Sequence, residues 1–182
     1  MTMKHTLFIP GVLLLLAAGG CGEAVGGGGY PPGAPERVQA VDEIMLMTSP
    51  LVVSFDGALQ PNGFTAGVWF FDNSRGAMTP PTLVRGGVEI LMYDGIVPAG
   101  ALRSARPLHV WEFPGDQLWQ YAGKHYMTGW GYNFGLQKWG DDAPAQDRVT
   151  VVVRYTGGPR PITSAPTIVA VGAANDIVWE NK

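Results

Sequence analysis

Acid–base, nucleophilic and metal chemistry would have to come from a short set of side chains. Beyond His5 the histidines are His109 and His125, and the single cysteine is Cys21. A catalytic triad needs a Ser or Cys nucleophile, a His base and an orienting acid within hydrogen-bond reach. No Gly-x-Ser-x-Gly turn is present to expose a serine. His109 shares a strand face with Trp111 and Phe113, and so reads as a packed strand histidine. His125 follows Gly123-Lys124 and reads as a solvated loop residue. Zinc takes three or four ligands at set spacings, which two separated histidines do not provide. Asp141, Asp142 and Asp147 surround one turn and Asp72-Asn73 mark another, but no Asp-x-Asp-x-Asp-Gly calcium loop exists, and turn chemistry accounts for them. Glu89 and Glu112 fall on candidate neighbouring strands, where a half-exposed face explains both. The expectation is therefore no catalytic residue, no metal, no cofactor and no enzyme activity.

The aromatic residues carry more information. Trp111, Trp119, Trp130, Tyr132 and Trp139 crowd one part of the chain. A small domain spends such rings on its core. A sandwich that binds sugars instead presents a flat, exposed row of them. Glycines on both sides of Trp130 permit close approach of a ligand or a second backbone, which makes Trp130, Tyr132 and Trp139 the candidate ligand-binding aromatics.

Cys21 has a clearer context. Lys4 and His5 precede an apolar run over Leu7–Ala18, and Ala17-Ala18-Gly19-Gly20 lead into the cysteine. A basic start, an apolar run and small residues form a secretory signal, and this run is too short to span a bilayer. A secreted chain with one cysteine has no internal disulfide to place it in. The segment resembles the lipobox of bacterial lipoproteins, although Ala18 stands where that family usually has Leu. The resemblance implies removal of residues 1–20 and acylation of Cys21, making a membrane anchor. Gly22 follows the cysteine where Asp marks inner-membrane retention in some bacteria, so the resemblance points to the outer membrane where the host has one.

Loss of residues 1–20 leaves a formal charge of about −4. No Lys/Arg block could follow a phosphate backbone, so nucleic acid is not expected as a partner. Residues 21–35, rich in Gly and Pro, read as a tether with a flexible start and a stiffer end. Residues 36–172 suffice for one domain, and 173–182 read as a tail in which Ile177-Val178-Trp179 could dock.

The elements that would position these side chains are short. The 26 Gly and 15 Pro divide the chain into pieces suited to strands. Strands are expected over 43–47 and 51–55, interrupted by Ser49-Pro50, and over 64–71, central because both faces become apolar. Others are expected over 88–94, 108–113, 126–138, 148–155 and 167–171. The one helix is expected over 116–121, closed by Gly123. No βαβ rhythm and no internal repeat appear. The predicted fold is all-β, an antiparallel β-sandwich of immunoglobulin-like or C2-like outline with one short helix. In Leu108-His-Val-Trp-Glu-Phe113, Gly131-Tyr-Asn-Phe-Gly-Leu136 and Val149-Thr-Val-Val-Val-Arg-Tyr155 the body resembles single-domain lipoproteins of environmental bacteria, which implies no established activity. The expected role is interaction or structural work at the cell envelope, with an envelope protein or a glycan as partner. The alternative is a carbohydrate-binding module on a lipid tether.

Overall fold

The computed structural model describes residues 29–55, 62–76, 79–137 and 143–171. Cys21, Trp139, Asp141, Asp142, the signal segment and the tail lie outside the described residues. Nine strands appear among those described: β1 (Glu43–Thr48), β2 (Gly63–Phe71), β3 (Val88–Asp94), β4 (His109–Phe113), β5 (Ala122–His125), β6 (Gly129–Gln137), β7 (Arg148–Tyr155), β8 (Ile162–Thr163) and β9 (Thr167–Ala170). They form two antiparallel sheets. The first runs β1-β2-β6-β5; the second runs β4-β3-β7, with β8 and β9 sharing the far side of β7. The fold is an all-β sandwich, as the strand spacing predicts.

Period-two patterning sets the layers. From the first sheet, β2 contributes Phe64, Ala66, Val68 and Phe70 to the core, and β6 contributes Tyr132, Phe134 and Leu136. From the second, β3 sends in Val88, Ile90 and Met92, and β7 sends in Val149, Val151, Val153 and Tyr155. The bounds of β3 and β7 match the sequence expectation.

Three local expectations need correction. The helix over 116–121 shrinks to a 3-10 turn, Leu118–Tyr121. Its Leu118 is fully buried, and Tyr121 wedges between the sheets, 5.1 Å from the ring of Phe113 and 4.9 Å from that of Phe134. Residues 51–55 form no strand: Pro50 offers no amide to a ladder, and Leu51 and Val53 make only isolated bridges. His125 is not in a loop; it ends β5, paired with Gly129 of β6.

The N-terminal segment closes one end of the sandwich. Tyr30 and Ala34 already pack against the core, inside the stretch expected as tether. Val38 bridges Val84, and the Gln39 side chain donates to the Gly157 carbonyl at 3.1 Å while its own carbonyl accepts from the Tyr155 hydroxyl. Gly86 and Gly157 meet beneath this strap. A Cβ on Gly86 would lie 2.0 Å from the Gly157 Cα, so the crossing requires glycine.

Candidate functional site: a groove on the outer face of the second sheet

The second sheet is apolar on both faces, and its outer face carries a concave surface. Leu91, Tyr93 and Val152 point away from the core yet are buried, because the 95–107 connection folds back over them with Val97, Leu102 and Ala105. Thr150 anchors that connection at its start: its buried hydroxyl donates to the Gly95 carbonyl and accepts from the Val97 amide, both at 2.8 Å. At its end the Leu108 amide donates to the Met92 carbonyl at 2.7 Å. The opposite wall is the 161–166 segment. There Ser164 accepts from the Val153 amide at 3.0 Å and donates to the Ala165 carbonyl at 2.9 Å.

Between these walls lies a groove of about 800 Å³ with Leu91 and Val152 in its lining, a size suited to a small ligand. Pro107, Pro161 and Pro166 stiffen its rims, and Arg103 and Arg154 supply positive charge. A second cavity of about 470 Å³ shares Tyr93, Ala105 and Pro107 and adds Arg106 together with the carboxylate of Asp94. The arginines differ in state. Arg154 is neutralised by Glu89, its Nε donating to the carboxylate at 2.6 Å and a second guanidinium nitrogen reaching the same oxygen. Among the described residues no carboxylate pairs with Arg103 or Arg106. Burial pushes the Tyr93 phenol up from its ordinary value, with Arg154 pulling the other way; it stays a neutral donor. The groove thus offers partly apolar walls, a neutral phenol and a guanidinium that no described carboxylate pairs.

The sequence-predicted aromatics go elsewhere. Tyr132 is fully buried, its ring 5.8 Å from that of Phe70, and its hydroxyl accepts from the Val84 amide at 2.9 Å. It belongs to the core and not to an exposed row. Trp130 is half-buried against the same core. The glycines beside Trp130 have other work. Gly129 takes a left-handed backbone, φ 81°, to close the β5–β6 turn. Gly131 makes room for the indole of Trp69: a Cβ there would lie 2.6 Å from Nε1. Trp69 lies over Gly131 and Gly67 on the outer face of the first sheet, 4 % exposed, with the His125 ring edge-on at 5.0 Å. The Trp69 Nε1 and the His125 Nε2 are buried without hydrogen-bond partners.

The other candidates are structural. His109 stacks edge-on against Trp111 at 4.6 Å, and the Trp111 indole donates to the Gln137 carbonyl at 3.3 Å. Glu89 and Glu112 do face one another across β3 and β4, but Glu89 is held by Arg154. The Asp72 carboxylate caps the turn Asn73–Arg75 by accepting from the Ser74 amide at 3.1 Å. Asp147 is exposed, and its carbonyl accepts from the Val171 amide. Among the described residues no group of three or more His, Cys, Asp or Glu is placed to hold a metal ion.

The groove was not legible beforehand. Arg103 and Arg106 sit in a connection without periodicity, and its unusual length was the one available signal. No protein-family model, curated protein or solved structure matches this chain.

Proposed function

We propose that this chain is a lipid-anchored protein of the cell envelope whose sandwich binds a small anionic amphiphile without transforming it. The observation that carries the binding role is the groove: apolar walls of Leu102, Pro107 and Pro161 over the buried Leu91 and Val152, beside Arg103, whose charge no described carboxylate compensates. An apolar body would leave water against those walls while its anionic group meets the guanidinium, a charge-assisted contact stronger than a neutral one. The lipobox-like sequence ending at Cys21 supports the anchor, and Gly22 favours the outer membrane where one exists. A glycan platform would have to work without Tyr132, so the groove is preferred to the aromatic row.

The binding role is tested with 1-anilinonaphthalene-8-sulfonate, an anionic aromatic amphiphile, titrated into the folded chain. Saturable one-site binding is expected, weakened about tenfold by Arg103→Glu and unchanged by Lys124→Glu on the other sheet; tenfold corresponds to about 1.4 kcal/mol. Equal affinity in all three proteins refutes it. The anchor is tested by intact mass and membrane fractionation beside Cys21→Ser. Loss of residues 1–20, gain of acyl mass and sedimentation with membrane in the wild type alone are expected. A soluble, unacylated wild type refutes that part.

A further inference from the structure

The turn between β5 and β6 ends in two large apolar residues that no other described residue covers. Tyr126 is fully exposed and Met127 is 90 % exposed. They sit side by side at the tip of a tight hairpin, closed by the His125–Gly129 pair and by the left-handed Gly129. A stable hairpin that displays Tyr-Met to solvent keeps apolar surface in water when any polar turn residue would serve. Lys124, also exposed, flanks the tip.

The tip lies at the end of the sandwich where the tether joins. A Cβ on Gly129 would sit 3.2 Å from Cγ of Pro81. Pro80 and Pro81 in turn line one cleft with Pro35 and Glu36. Tyr30 adjoins the Tyr132 phenol, on the strand that the hairpin leads into. Only eight residues, Cys21 to Gly28, separate an acyl group on Cys21 from this end. A Gly-rich stretch of that length spans about 16 Å on average and about 28 Å when fully drawn out. The anchor therefore holds the hairpin end of the domain next to the headgroups.

We propose that the Tyr126–Met127 tip enters the interfacial layer of the membrane that holds the anchor, forming a second, non-covalent contact that orients the domain. The chemistry fits: a tyrosine ring prefers the headgroup level, methionine is flexible and apolar, and a lysine beside them meets lipid phosphate. The contact is too small to bind alone, and it acts together with the acyl chains. This inference rests on the anchor reading above.

The test uses the acylated full-length mature chain on vesicles of phosphatidylethanolamine and phosphatidylglycerol, with hydrogen peroxide as probe and mass spectrometry as readout. Met47, 54 % exposed on the outer face of the first sheet, is the internal reference. Cys21→Ser in solution sets the unprotected ratio of Met127 to Met47 oxidation. The expected result is a fall of about fivefold or more in that ratio on vesicles. An unchanged ratio overturns the proposal. Protection on whole cells but not on pure lipid assigns the tip to a protein partner, and overturns it too. Should Cys21 prove unacylated, the anchor reading fails by itself. Coupling its thiol to a maleimide-headgroup lipid in the same vesicles then still decides whether the tip inserts.

Discussion

Replacing Tyr132 by Phe deletes one oxygen from the centre of the molecule and leaves every ring contact in place. The Tyr132 ring stays 5.8 Å from Phe70 and 6.1 Å from Phe134, so no packing is lost. What changes is the Val84 amide, which donates to the Tyr132 hydroxyl at 2.9 Å. Val84 is fully buried, so no water takes the place of that oxygen, and the amide is orphaned. An unsatisfied buried donor costs about 1–3 kcal/mol. Against a stability of roughly 5–15 kcal/mol for a domain of this kind, that is a large fraction. With a urea m-value of about 2 kcal/mol/M, the midpoint should fall by about 0.5–1.5 M. Tyr155→Phe is the control. Its hydroxyl donates to the Gln39 carbonyl at 3.1 Å and accepts from the Gly86 backbone, but Gln39 is exposed and Gly86 only half-buried, so water can replace the hydroxyl for both. That variant should lose less than 1 kcal/mol or so, the ordinary net worth of a hydrogen bond. Urea melts of both variants, followed by tryptophan emission, decide the matter. A Tyr132→Phe midpoint within about 0.2 M of wild type, or a larger loss in Tyr155→Phe, refutes the reasoning.

Alkali should destabilise the protein by a related route. Burial raises the pKa of Tyr132, Tyr155 and Tyr93 in the folded state; above pH 10 the unfolded chain releases protons that the folded chain keeps, so stability falls as pH rises. Tyr132 alone contributes a slope of about 1.4 kcal/mol per pH unit, and Tyr132→Phe should flatten the stability profile measured by urea melts between pH 9 and about 11; an unaltered slope counts against it. Gly131→Ala should cost about 1–3 kcal/mol, because the new methyl meets the Trp69 indole at 2.6 Å and the Val68 carbonyl at 2.8 Å; near-UV circular dichroism during a melt would register both the lost stability and the displaced indole. Glu89→Gln should cost less than about 1 kcal/mol, since the Arg154 side chain is 42 % exposed and the pair is screened by solvent; a larger loss in a urea melt would mean that the bridge holds the groove together.

Alternation was readable wherever one strand face is apolar, which is why β3, β7 and the inward residues of β2 and β6 follow directly from their sequence. β5 escaped because Ala-Gly-Lys-His has no period and its glycine resembles a helix stop; it exists through its ladder with β6. β8 has two residues and no pattern of its own. Of the glycines around Trp130, Gly131 does mark a close approach, but by the Trp69 side chain from the neighbouring strand and not by a ligand or a backbone, a pairing that only the register reveals; Gly129 serves the turn instead. The groove was hidden for a different reason. Leu91 and Val152 look like the second apolar face of a central strand, and nothing local says that a connection will roof part of that face and leave the rest open.

The strap across the sandwich end has a consequence for the order of events in folding. Its bonds join Gln39 to Gly157 and Tyr155, residues separated by 118 and 116 positions. Closing loops of that size is entropically slow and gains little until both partners are already in place. The first part of the domain to be synthesised is therefore the last to settle. Pulse-labelled hydrogen exchange should show the Arg85 amide, which donates to the Val38 carbonyl, gaining protection after the β3–β7 ladder. Simultaneous protection would place the strap in the folding nucleus instead.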